Sequence, residues 1–164
     1  MSSPVPCTDQ VLIRRFQPGD EAAFRSLNEQ WISTYFRIEE KDEATFADPQ
    51  KTILAPGGQI LFAVVNGHPV GCCALLRMGP GEFEVAKMAV APEHQGKRIG
   101  RCILLATIDE ARRLHARRLY LETNHTLTPA IRLYQSLGFR HLDASQVTPS
   151  PYDRADVFME LKLV

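Results

Sequence analysis

Residues 82–122 switch hydrophobic period twice, and no other stretch restricts the fold as much. Glu82 to Val90 alternates as a strand should, and Pro92 blocks further pairing. A turn bearing Gly96 and Gly100 follows. Gly100, Ile103, Leu104, Thr107, Ala111 and Leu114 then recur at helical spacing over 98–115. Arg118 to Glu122 alternates again. A strand, a long amphipathic helix and a second strand form a crossover, so the two strands must run parallel in one sheet.

The flanking segments predict hairpins. Residues 60–65 and 70–78 read as strands joined by Asn66-Gly67, and Gly79-Pro80-Gly81 turns the chain into strand 82–90. Residues 11–16 read as an earlier strand. After them, Phe24, Leu27, Trp31 and Tyr35 mark a helix. A weaker helix is expected around 43–52, stopped by Ala55-Pro56-Gly57-Gly58. Thr128-Pro129 reads as an N-cap and a first-turn proline. Ala130, Leu133, Tyr134 and Leu137 supply that helix's inner face, and Gly138 ends it. Residues 139–142 and 156–163 close the sheet. The expectation is an α+β fold of one domain over 1–164, with a mixed, mostly antiparallel, seven-stranded sheet and helices on both faces.

Composition argues against several functions. Lys+Arg and Asp+Glu both number 19, without the basic excess expected of a nucleic-acid partner. Apolar runs are too short for a membrane span, and the first six residues have neither a basic n-region nor an apolar h-region. Cys7, Cys72, Cys73 and Cys102 contain no CxxC pair, and His94, His115, His125 and His141 lack metal-ligand spacing. Reduced thiols, no metal and a cytoplasmic location are therefore expected. On a strand, adjacent Cys72 and Cys73 would face opposite sides.

The chemistry concentrates at the start of the central helix. Gln95, Gly96, Lys97, Arg98, Ile99, Gly100 and Arg101 follow a strand and open a helix. Free N–H groups at such a turn, the helix dipole and three full positive charges make a site for a pyrophosphate. An ordinary helix start with surface basic residues would look the same from the residues alone. Neither GxxxxGK[ST] nor GxGxxG is present, which weakens nucleotide-hydrolase and dinucleotide readings.

This segment resembles motif A of the GNAT acetyltransferase superfamily, Gln/Arg-x-x-Gly-x-Gly/Ala. Gln95 and Gly100 match its ends, and Arg98 stands where the family has its middle glycine. Pro129 to Phe139 resembles motif B, with its tyrosine and Gly-Phe ending. Leu-Glu-Thr-Asn at 121–124 and Ser-Pro-Tyr-Asp-Arg-Ala-Asp at 150–156 resemble a bacterial-type subgroup. The resemblance implies a GNAT fold and an enzyme that moves an acetyl group from acetyl-CoA to a primary amine, without a metal. It implies that the main chain of Met88, Ala89 and Val90 holds the pantetheine arm, with an N–H of Met88 or Val90 facing the thioester oxygen. Tyr134 corresponds to the family's acid toward the departing thiolate, and Glu84 to a position used for a water-mediated base. Asn124 is the nearest substitute for an asparagine that many members carry. Packing on the sheet is the competing reading of Tyr134, and a solvated edge that of Glu84.

Toward the acceptor, Tyr152 offers an apolar wall and Arg154 a fork suited to a carboxylate. With Glu82 and Glu84 toward an ammonium group, these residues predict a small amino acid or related zwitterion. A surface pairing of Arg154 with Asp153, Asp156 or Asp143 is the competing expectation. The remaining alternatives are an acyl-CoA sensor without catalysis and acetylation of protein lysines or N-termini. A homodimer is compatible with the resemblance, which implies neither nucleic-acid nor membrane partners.

Overall fold

A computed structural model describes residues 5–7 and 10–163. Its elements, in chain order, are β1 (Val5–Pro6), β2 (Leu12–Arg15), α1 (Glu21–Tyr35), α2 (Glu40–Ala47), β3 (Gln59–Val65), β4 (His68–Gly79), β5 (Glu82–Val90), α3 (Ile99–Arg113), β6 (Arg118–Thr123), α4 (Thr128–Ser136), β7 (Arg140–His141) and β8 (Val157–Lys162). All seven expected strands are present, and the short β1 adds an edge. The sheet order is β1-β2-β3-β4-β5-β6-β8-β7. Every neighbouring pair is antiparallel except β5 and β6. Those two are the strands joined through α3, as the crossover requires.

Strand alternation divides the core between two faces. Ile60, Phe62, Cys72 and Ala74 pack with Phe24, Leu27 and Ile32 of α1 and Phe46 of α2. Leu61, Ala63, Cys73 and Leu75 pack instead with Ile103, Leu104, Ile108 and Ala111 of α3 and Tyr134 of α4. The adjacent cysteines thus face opposite sides, both buried. An ionic tie fixes α3 to β2, with Arg15 and Arg113 both reaching the buried Glu110.

Three local expectations need correction. The helix expected over 43–52 is two elements, because Pro49 disfavours a helical residue before it. Asp48 leaves the helical region (φ −153°, ψ 84°), so α2 stops at Ala47 and a π-helical turn covers Gln50–Leu54. Thr128 is the first helical residue rather than the cap, and Leu127 occupies the cap position. Finally, the four thiols are not all reduced. Cys7 and Cys102 form a disulfide with Cα atoms 5.9 Å apart. Their sequence separation of 95 hid a proximity that only the fold creates, since β1 lies at the sheet edge near α3.

Candidate active site

The sheet opens at its centre. β5 and β6 pair only at Glu82–Arg118, Phe83–Leu119 and Glu84–Tyr120. Beyond Glu84 the strands diverge, and a cleft of about 180 Å³ occupies the gap. The register between β4 and β5 shifts between Cys72 and Ala74, and Lys87 lies there with φ +54°. A left-handed residue and an extra position on one strand make a bulge, which increases local twist. The bulge explains why β5 leaves β6 just here.

The bulged strand presents main-chain groups to the cleft. The Ala91 N–H donates to the Val70 carbonyl across β4, so by alternation the Val90 N–H points to the open side. Gln95 donates its side-chain amide to the Val90 carbonyl, which ties the turn to the end of β5. Met88, Ala89 and Val90 all line the cleft.

At the mouth, a groove of about 650 Å³ is bordered by Gln95, Gly96, Arg98, Ile99, Gly100 and Arg101, with His94 and Leu133 beside them. The first-turn N–H groups of α3 have no intrahelical acceptor. A Cβ built on Gly100 meets only Leu133 Cδ2, at 4.0 Å, so this residue faces open space. Arg98 and Lys97 are exposed, and Arg101 donates to the Ser136 hydroxyl. The groove therefore has the donors, charge and room that a diphosphate needs.

Arg98 is held in the left-handed region (φ +62°, ψ +16°) as the N-cap of α3. This backbone accounts for the glycine that motif A has at that position, since a Cβ is disfavoured there by roughly 1–2 kcal/mol. Arg98→Gly should raise unfolding free energy by up to about 1 kcal/mol, some gain being lost to glycine's unfolded-state entropy. It should also weaken acetyl-CoA binding by removing a charge beside the groove. Denaturant titration and calorimetry check the two signs separately. A fall in stability would mean that the arginine side chain contributes more to the turn than its backbone strain costs.

Tyr134 reaches the cleft from α4, 8% exposed and edge-on to Phe139 with ring centroids 5.9 Å apart. No hydrogen bond engages its hydroxyl among the described residues, and burial holds its proton more tightly than usual. It is a neutral donor at physiological pH. Glu84 lines the same cleft. Burial, followed by the neighbouring Glu122 charge, pushes its carboxyl up to about 7. Glu122 accepts hydrogen bonds from the Tyr120 and Ser150 hydroxyls. Two carboxyl groups with different surroundings can serve different roles, and Glu84 is the one placed to exchange a proton near neutrality.

The sign of the Glu84 shift yields a test. A carboxyl that titrates near 7 when folded and near 4.5 when unfolded holds its proton more tightly in the folded state. Stability is therefore fullest below the unfolded value and falls as pH rises through about 7. Glu84→Gln should flatten that decline. As a base, Glu84 should also produce a rising limb in the kcat/KM profile centred near 7, and Glu84→Gln should remove it. A mutant profile parallel to wild type would exclude Glu84 as the base.

Sequence reasoning missed the ionic centre of the acceptor side. Asp42 is fully buried, and it accepts from both Arg154 guanidinium nitrogens, at 2.8 and 2.7 Å, and from Lys87 Nζ, at 2.6 Å. Burial raises its carboxyl, but the Arg154, Lys87 and Glu39 N–H bonds outweigh that and hold it at about 2. Arg154 also reaches Glu39 at 3.1 Å. The phenol of Tyr152 accepts from Lys87, with both cations over its ring at 4.5 Å. The fork expected to grip a substrate carboxylate is thus already bound, and its partners are not the three surface aspartates weighed for it. Asp42 and Glu39 lie more than a hundred residues from Arg154 in sequence, and only the packing of α2 over β5 brings them there. A lysine inside the otherwise apolar run 85–90 was the available signal.

Two other expected residues are differently employed. Asn124 borders the cleft, but its side chain is committed to the Arg154 carbonyl and to Thr126. Glu82 does not line the cleft; it sits 3.8 Å from Arg118. His125 pairs with Asp156 on the surface. Among the described residues, no group of three His, Cys, Asp or Glu side chains is placed to hold a metal, and no helix is long and apolar enough to cross a membrane.

A sheet splayed beside a bulged strand, with a helix N-terminus at the mouth of the gap, defines an acyl-CoA transferase type of fold. The chain matches the acetyltransferase (GNAT) family over residues 22–139 and belongs to it. It is 36% identical over 157 residues to a mycothiol acetyltransferase of Acidothermus cellulolyticus, a match covering 84% of this chain but 47% of that protein. The chain thus spans about half the length of that relative. Its fold is similar to a GNAT acetyltransferase of Staphylococcus aureus, with a TM-score of 0.85, 20% identity and coverage of 94% and 99% of the two chains. It also resembles yncA of Salmonella typhimurium, solved with acetyl-CoA, at a TM-score of 0.74, 24% identity and coverage of 95% of each chain.

Proposed function

We propose that this chain transfers an acetyl group from acetyl-CoA to a primary amine of a small molecule, by direct attack. The observation that carries the reading is the convergence of an open main-chain N–H, an unbonded phenol and a carboxyl titrating near neutrality on one cleft, with a phosphate-suited groove at its mouth. Acetyl-CoA supplies the activated acyl group and a thiolate leaving group. Residues 95–101 hold its diphosphate, and the main chain of Met88 to Val90 aligns the pantetheine arm. The Val90 N–H, or that of Met88, faces the oxygen on which charge develops.

Glu84 takes the ammonium proton, directly or through water, because only the free amine attacks. Tyr134 donates a proton or hydrogen bond to the departing sulfur. Asp42 fixes Lys87 and Arg154 and so shapes the acceptor wall. No step calls for a metal. A cytoplasmic location follows in this reading from the cosubstrate alone, since the Cys7–Cys102 disulfide removes reduced thiols as its support.

Coenzyme A thiol release in the presence of an amine panel tests the activity. Acetyl-CoA, and not ATP, should raise the melting temperature. Stabilisation by acetyl-CoA with no amine-dependent thiol release would favour an acyl-CoA sensor instead.

A further inference from the structure

The charged groups bordering the cleft are Glu84, Lys87, Glu122 and Arg154. Both cations are neutralised from behind. Lys87 pairs with Asp42, and Arg154 with Asp42 and Glu39. Glu84 and Glu122 have no ion-pair partner within 4 Å among the described residues, and Glu122 is held by two hydroxyls. Among the described residues, the lining of the cleft therefore offers an incoming molecule two carboxyl groups and no unpaired cation, Lys41 acting on Glu84 from outside that lining. Trp31, Ile32 and Phe36 of the α1 end supply apolar surface to the same cleft, with Trp31 and Phe36 in ring contact at 6.3 Å.

We infer that the acceptor is a primary amine on an apolar body with no carboxylate beside the amine, its ammonium drawn to Glu84 and Glu122 and its body laid against Trp31 and Phe36. The inference rests on the acetyl-transfer reading above and narrows it. A carboxylate on the α-carbon would lie within a few ångströms of the nitrogen. It would enter beside two carboxyl groups in a partly dehydrated site, where like charges repel strongly. The cations lining the cleft are already bonded, and detaching Arg154 would leave Asp42 short of partners in the interior. The zwitterionic acceptor expected from Arg154 as a free fork is thereby replaced. A second ammonium group is not called for either, because the lining holds no carboxyl group besides Glu84 and Glu122.

The test uses the wild-type protein and four acceptors: 2-phenylethylamine, phenylalanine, phenylalanine carboxamide and a linear diamine. Rates are compared at equal concentrations of unprotonated amine, so that differences in amine basicity drop out. 2-Phenylethylamine and the carboxamide should both be acetylated. Phenylalanine should be at least about tenfold poorer in kcat/KM than its carboxamide, a difference of about 1.4 kcal/mol. The diamine should fall below 2-phenylethylamine, and Trp31→Ala should raise KM for 2-phenylethylamine while leaving acetyl-CoA binding unchanged. Phenylalanine matching or exceeding its carboxamide would overturn the inference and leave acetyl transfer intact, as would preference for the diamine. No amine-dependent thiol release with any of the four would overturn the small-amine reading itself.

Discussion

Gly100→Glu is expected to abolish acetyl-CoA binding while the protein stays folded. The residue lies in the first turn of α3, and a Cβ placed there meets only Leu133 Cδ2 at 4.0 Å. The fold therefore has room for a side chain, and the groove beside residues 95–101 receives it. Three effects act together. The added bulk occupies the space proposed for the diphosphate. Its carboxylate competes for the free N–H groups of the first turn and for the charge of Lys97 and Arg98. It also repels a polyanionic ligand in a place where the helix dipole otherwise attracts one. A carboxylate in the first turn is itself favourable to a helix, so melting temperature without ligand should change little. Isothermal titration with acetyl-CoA reads the result. Unchanged affinity in the folded variant would remove the diphosphate from residues 95–101.

Tyr134→Phe should lower kcat by about 10²-fold or more with acetyl-CoA affinity nearly unchanged. The phenol is buried against Phe139, and its hydroxyl has no hydrogen-bond partner among the described residues. Removing it therefore breaks no internal bond, and the ring keeps its packing. A loss of turnover in a protein of undiminished stability would isolate a chemical role at sulfur. Wild-type turnover would return Tyr134 to packing. The measurement should be single-turnover, because slow product release would mask a slowed chemical step.

The sequence alone determined much of what depends on near neighbours, the break before Pro49 and the cap at Leu127 being local features it did not yield. The period change across 82–122 defined the crossover and its parallel strands. The alternation at Cys72-Cys73 sent adjacent thiols to opposite faces, and Gly96, Gly100 and the basic residues around them singled out the segment that borders the groove at the start of α3. Such features follow from backbone geometry and a few consecutive side chains.

Tertiary structure decided whatever joins distant segments. Cys7 meets Cys102 across 95 positions, and Asp42 meets Lys87 and Arg154. The latter contact reverses the expected charge of the acceptor wall. Arg154 alone offers a carboxylate a free fork, but Arg154 bound to Asp42 offers none. The splay beyond Glu84 belongs to the same category. It arises from a bulge opposite β4 and a left-handed Lys87, a conformation that a lysine's own preferences oppose and only the surrounding pairings impose.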